Sequence, residues 1–223
     1  MFIKVCGITS EQDALLAAAL GADAVGFVFA PSSRQVAVDR VRDIARRLPA
    51  EVLTVGVFRN EVPDRVVHIM HRAGLGAAQL HGNETPEQSQ EIQKRVPRLI
   101  KAFASSDQRL AKVSDYHADV ALIDSPQPGS GQAFDWNLIE NMPLSGVRVL
   151  LAGGLDADNV SRAIHKTAPW GVDVSSGVER LPGSKDPVKM RRFIDAARRA
   201  FIEVRLRDRI EVSELPYNWK DDI

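Results

Sequence analysis

Eight short runs of apolar, largely β-branched residues recur along the whole chain, and a longer stretch with apolar residues three and four apart follows each one. The runs are residues 2–6, 24–29, 52–58, 77–80, 99–103, 120–123, 147–151 and 171–174. A parallel strand needs a crossover helix to reach its neighbour and is covered on both faces, so this alternation specifies βα units around a parallel sheet. The spacing predicts helices over 10–20, 39–48, 63–73, 86–95, 107–116, 136–141, 157–167 and 187–204. Ser10 is placed to cap the first, Pro86 suits a first helical position, and Asp186-Pro187 opens the last. Gly21, Gly74 and Gly146 stand where helices should stop.

Eight strand–helix units of roughly 25 residues each fit a single (β/α)8 TIM barrel, whose usual size is about 250 residues. The expected catalytic domain is 1–204, with a short, charged C-terminal extension over 205–223 where the periodicity decays. A doubly wound open sheet shares the alternation, but its Gly-rich turn after the first strand is replaced here by Cys6-Gly7-Ile8-Thr9. Lys and Arg number 29 against 29 Asp and Glu, so there is no global field for nucleic acid or an anionic membrane, although a local anion site stays open. A lone cysteine, Cys6, excludes an intrachain disulfide and a Cys-rich zinc site and suits a reducing compartment. No apolar stretch is long enough for a bilayer and the start lacks signal-peptide features, so the expected location is cytoplasmic. Monomer and homodimer are both compatible with the composition.

On such a barrel, chemistry collects at the C-terminal ends of the strands. Gly153 and Gly154 follow the seventh run, and Ser175 and Ser176 follow the eighth. Glycines let amides approach an oxyanion and hydroxyls add donors, so the two adjacent loops predict a phosphate site and a phosphorylated small-molecule ligand. Cys6 ends the first run; it is either a small buried hydrophobe or a general base or nucleophile. Asp124 follows the sixth run, as a cap for Ser125 and its loop or as a general acid. Arg34 suits a substrate carboxylate or plain solvation, and His81 suits a ligand contact or a rim position. No metal-ligand spacing, P-loop or nucleophile elbow occurs, and base and acid across one pocket would permit a proton-shuffling isomerisation without a cofactor.

Several blocks together resemble the phosphoribosylanthranilate isomerases of tryptophan biosynthesis. They are Lys4-Val5-Cys6-Gly7-Ile8-Thr9, Gly26-Phe27-Val28-Phe29 with Ser32-Ser33-Arg34, Gln79-Leu80-His81-Gly82, Leu122-Ile123-Asp124-Ser125, Phe134-Asp135-Trp136, Leu151-Ala152-Gly153-Gly154-Leu155 and the run from Gly171 to Glu179. The resemblance implies a (β/α)8 barrel that converts N-(5′-phosphoribosyl)anthranilate to 1-(2-carboxyphenylamino)-1-deoxyribulose 5-phosphate by an Amadori rearrangement. It implies Asp124 as general acid, Cys6 as general base, Arg34 at the anthranilate end, and His81 and Asp173 lining the site. Gly154, Ser175 and Ser176 would contribute to the phosphate cradle. The analogous isomerase of histidine biosynthesis resembles a pair of aspartates in the two roles, whereas here Cys6 ends the first strand. Two departures stand out: Pro128-Gly129-Ser130-Gly131 where the family more often has Gly-Gly-Thr-Gly, and the long tail.

Overall fold

The computed structural model describes residues 1–126, 136 and 146–207. Eight parallel strands pair in sequence order and close on themselves: β1 (Phe2–Val5), β2 (Ala24–Val28), β3 (Leu53–Phe58), β4 (Ala77–Leu80), β5 (Leu99–Ala104), β6 (Val120–Asp124), β7 (Val149–Leu151) and β8 (Gly171–Val174). Closure comes from β1 and β8, which pair from Phe2 opposite Gly171 to Val5 opposite Val174. A closed sheet excludes the doubly wound alternative. Around it lie α1 (Glu11–Ala19), α2 (Val38–Ala45), α3 (Pro63–Ala73), α4 (Pro86–Gln93), α5 (Val160–Thr167) and α6 (Pro187–Arg207). Ser10 caps α1 by accepting from Asp13 N, Thr85 and Gln88 form a capping box ahead of Pro86, and Gly74 ends α3 in the left-handed region.

Four departures from the sequence expectation have local causes. The stretch expected as a helix over 107–116 is a 3-10 helix, Gln108–Tyr116, interrupted at Lys112. Its buried anchors Leu110, Val113 and Tyr116 recur every three residues, the 3-10 repeat and not the α repeat. The helix expected from 157 starts at Val160, because Asp156 Oδ1 accepts from the amides of Asp158 and Asn159 and holds those residues in a turn. The last helix runs to Arg207, past the boundary drawn at 204. Between β8 and α6, a 3-10 turn (Ser176–Val178) leads into an antiparallel hairpin, β9 (Glu179–Leu181) and β10 (Ser184–Lys185), which the run pattern is too short to register. The expected helix 136–141 apart from Trp136, the Pro128 to Gly131 loop, and the tail beyond 207 lie outside the described residues.

Strand alternation divides the core in two. Ile3, Val5, Val25, Phe27, Ile123 and Val172 face outward into the layer shared with the helices. Phe2, Leu53, Val55, Ala77, Leu122 and Leu150 fill the barrel interior, as the period of two requires. Phe2 stacks on Trp170 at the base, with centroids 4.6 Å apart. At the other end the interior residues become polar: Cys6, Gln79, Asp124 and Asp173. No helix among the described residues is long and apolar enough to cross a membrane.

A buried ion pair ties two loops to β5. Lys101, wholly buried on β5, donates to Glu84 Oε2 at 2.9 Å and to the Gly82 carbonyl at 2.9 Å, while Glu84 accepts from the amides of Asn60 and Gly82. Burial alone would push the Glu84 carboxyl up, but Lys101 and backbone amides including that of Asn60 outweigh it and hold the carboxyl below its usual range. Replacing Lys101 by Met leaves Glu84 buried without its counter-ion. The expected loss is about 3–5 kcal/mol of unfolding free energy, measured by urea titration.

Candidate active site

A cavity of about 540 Å³ opens at the C-terminal end of the barrel. Cys6, Arg34, His81, Asp124, Gly153, Gly154, Asp173, Ser175 and Ser176 all line it. Its floor is the last interior layer of the strands, where Val28, Val57, Ala102 and Ala152 stand among Cys6, Gln79, Asp124 and Asp173.

On the first wall, Cys6 follows β1, with its amide donating to the Val174 carbonyl at 2.8 Å. Lys4 lies one layer beneath and on the same interior face, wholly buried, and donates to Asp173 Oδ1 at 2.9 Å. Burial pushes the Cys6 thiol up; Lys4 opposes that shift and Asp173 adds to it. Burial alone would lower the Lys4 ammonium, but Asp173 and Cys6 reverse the sign and hold it above the ordinary lysine value.

Across the mouth, Asp124 ends β6 with its side chain aimed inward. Its Oδ1 accepts from the Ser125 amide at 2.7 Å, and its Oδ2 lies 3.2 Å from His81 Nε2. Gln79 Nε2 lies 2.8 Å from His81 Nδ1. With the amide donating there, the imidazole carries its proton on Nε2 and donates to Asp124. Gly153 packs directly against this carboxylate: its φ is +83°, and a Cβ at that position would strike the Ser125 amide and stand 3.0 Å from Asp124 Oδ1. Only glycine satisfies both the left-handed backbone and the close approach.

Arg34 does not stand free. Its Nε and Nη2 donate to the two oxygens of Glu179 at 2.8 and 2.7 Å, a bidentate pair. Lys185 donates to Glu179 Oε1 at 3.0 Å and to the Ser175 carbonyl at 3.1 Å. Burial by itself raises the Glu179 carboxyl, and the two cations outweigh it and bring it below the usual range. The hairpin β9–β10 thus supplies both residues that orient Arg34 from behind. Next to it, the loops after β7 and β8 bring Gly153, Gly154, Ser175 and Ser176 to one side of the cavity. Among the described residues, neither the Gly153 nor the Gly154 amide has a protein acceptor. Donors of this kind suit an oxyanion. No group of three or more metal-ligating side chains occurs among the described residues.

Residues 3–196 match the family described as N-(5′phosphoribosyl)anthranilate (PRA) isomerase. The chain belongs to this family. An N-(5′-phosphoribosyl)anthranilate isomerase of Desulforudis audaxviator is 48% identical over 205 residues, 89% of this chain and 98% of that protein. The solved phosphoribosyl anthranilate isomerase from Thermotoga maritima aligns with a TM-score of 0.83 at 41% identity, covering 89% of this chain and 98% of that one. Another solved member of the family, in complex with reduced 1-(o-carboxyphenylamino)-1-deoxyribulose 5-phosphate, aligns with a TM-score of 0.80 at 40% identity over 89% and 98% of the two chains.

For this member of the family, sequence reasoning passed over Lys4, Gln79, Glu179 and Lys185 as site residues. Strand parity carried a usable signal for two of them, since Lys4 shares the interior face with Cys6, and Gln79 shares it with Ala77. Lys185 and Glu179 carry no parity signal, because their hairpin is too short to show a period, although Glu179 does end the block that begins at Gly171. Gly153→Ala is expected to displace Asp124 and Ser125 and to lower turnover of N-(5′-phosphoribosyl)anthranilate by about 10²-fold, the cost of an ångström-scale misplacement. Steady-state kinetics on the folded variant checks this.

Proposed function

We propose that Cys6 and Asp124 isomerise N-(5′-phosphoribosyl)anthranilate by general base and general acid catalysis in the cavity at the barrel mouth. One observation carries this reading: a thiol and a carboxyl face each other across a cavity that also holds an arginine and a glycine–serine anion cradle. The Gly153–Gly154 and Ser175–Ser176 loops bind the phosphate, and Arg34, held by Glu179, takes the anthranilate carboxylate on the edge left to it. The ribose then lies between Cys6 and Asp124.

Asp124, in its acid form, donates a proton to the ribose ring oxygen as the C1′–O bond breaks, and the nitrogen lone pair forms the C1′=N bond of a Schiff base. The Cys6 thiolate then removes the C2′ proton. The released electron pair forms C1′=C2′, and the C1′=N pair returns to nitrogen, giving an enolamine. Loss of the O2′ proton and gain of one at C1′ give the ketone, and the same two transfers return a proton to Asp124 and take one from Cys6. No oxidant, reductant or metal enters this balance. His81 touches Asp124 and orients that carboxyl; Asp173 acts on the other wall through Lys4. Burial raises the Cys6 thiol, so kcat/KM is expected to rise with pH into the alkaline range as the thiolate forms.

Loss of the fluorescent anthranilate substrate reports the reaction directly, and absence of turnover at micromolar enzyme would overturn the reading. Cys6→Ser and Asp124→Asn are each expected to lower kcat by at least about 10²-fold while leaving the thermal transition cooperative. Arg34→Met is expected to act mainly on KM, raising it by about tenfold or more as the charge-assisted pair to the carboxylate is lost. Near-full activity in the first two variants, or an unchanged KM in the third, removes the role assigned to that residue.

A further inference from the structure

Three lysines are wholly or almost wholly buried in this barrel, and two of them reach at least two oxygen acceptors each. Lys101 has Glu84 and the carbonyls of Leu80, Gly82 and Ala102 within 3.4 Å. Lys185 has Glu179 and the Ser175 carbonyl. Lys4 is different: among the described residues its ammonium has a single hydrogen-bonded acceptor with oxygen, Asp173 Oδ1 at 2.9 Å. An ammonium carries three donors and one carboxylate takes up only part of them; the charged form is held against burial by Asp173 and Cys6 together. Barrel interiors are ordinarily filled by branched apolar residues, so a lysine in this layer is costly unless a second anion forms beside it.

The neighbour in the right place is Cys6. Both side chains point into the barrel from β1, and both converge on Gly26 of β2. A Cβ built on Gly26 would stand 2.8 Å from Cys6 Sγ and 3.2 Å from Lys4 Cε, so the glycine keeps open the space in which thiol and ammonium stem meet. Register fixes the third member, since Lys4 lies opposite Asp173 in the β1–β8 pairing. The remaining charged groups near Cys6 are Lys185 on β10 and Arg34 on the loop after β2, both already engaged by Glu179 of β9; Asp124 stands across the mouth.

We propose that Lys4 is a positioning residue for the base, the counter-ion that stabilises the Cys6 thiolate, and that Asp173 holds its ammonium in place beneath the sulfur. This rests on the reading of Cys6 as the base and deepens it. Asp173 has two opposed effects: it anchors Lys4, and its own negative charge disfavours the thiolate. The pair therefore sets how much thiolate exists at a given pH, while neither side chain needs to touch the substrate.

Because Cys6 is the only cysteine in the chain, its titration is readable without substrate, from the ultraviolet absorbance of the thiolate taken against Cys6→Ser. Lys4→Met is expected to move the Cys6 midpoint up by at least about one pH unit, a tenfold loss of thiolate at fixed pH. Lys4→Arg is expected to bring it back towards the wild-type value. Asp173→Asn keeps an oxygen that accepts from Lys4 and removes only the charge, so it is expected to move the midpoint down, and this variant tests the pairing even if Lys4→Met fails to fold. An ion pair that only fastens β1 to β8 would lower the melting temperature and leave the midpoint in place. A midpoint unmoved within about 0.3 unit in Lys4→Met, or an upward shift in Asp173→Asn, overturns the proposal. Activity of Cys6→Ser separates this from the parent reading: an active Cys6→Ser with the stated titration shifts removes the base and keeps the pairing, whereas an inactive one with an immobile midpoint does the reverse.

Discussion

The pairing of the first strand with the last closes the barrel, and the site exists only because of it. Phe2 to Val5 run beside Gly171 to Val174, the Cys6 amide reaches the Val174 carbonyl, and Lys4 meets Asp173 inside the sheet. Bringing together segments about 170 residues apart has a large loop-closure entropy cost, offset by seven intervening strand pairings that each bury an apolar interior and an apolar outer face. The same ladder fixes parity. Once Phe2 packs against Trp170 at the base of the barrel, the alternation sends Lys4 and Cys6 inward as well, and a slip of one residue would turn all three out into the helix layer.

Electrostatics at the mouth is local and does not follow the chain's zero net charge. Lys4, Arg34 and Lys185 cluster against Asp173 and Glu179, three cations to two carboxylates, on the wall that carries Cys6 and Ser175. Low-dielectric surroundings strengthen these interactions well beyond their strength in water. The pairs serve different ends: Lys101 with Glu84 fastens two loops to β5, Glu179 with Lys185 aims Arg34, and Lys4 with Asp173 lies under the thiol. Glycine at two positions makes the close approaches possible, Gly26 beside Cys6 and Gly153 beside Asp124. In both places a methyl group would occupy the space next to the Cys6 or Asp124 side chain.

The secondary structure was legible because its cause is local. Apolar runs bounded by turn residues gave all eight strands, and Ser10, Pro86 and Gly74 marked helix ends by their own chemistry. It failed where a non-local or subtler cause governed: the three-residue spacing of Leu110, Val113 and Tyr116 under a 3-10 helix, the Asp156 turn ahead of α5, and a hairpin too short to show a period. The nine residues singled out for the site all line one cavity, since a barrel places every strand's C-terminal end on the same rim.

By itself, then, the sequence determined the barrel, the rim on which chemistry collects, and the residue types for a thiol, a carboxyl and an anion cradle, because periodicity and strand-end position are properties of neighbouring residues. Partnership was decided only by the tertiary structure. That Arg34 is clasped by Glu179, that His81 bridges Gln79 to Asp124, and that Lys4 lies beneath Cys6 with Asp173 as its one carboxylate depend on register between strands distant in the chain. Burial gives those contacts their energetic weight, and burial arises only when the sheet closes.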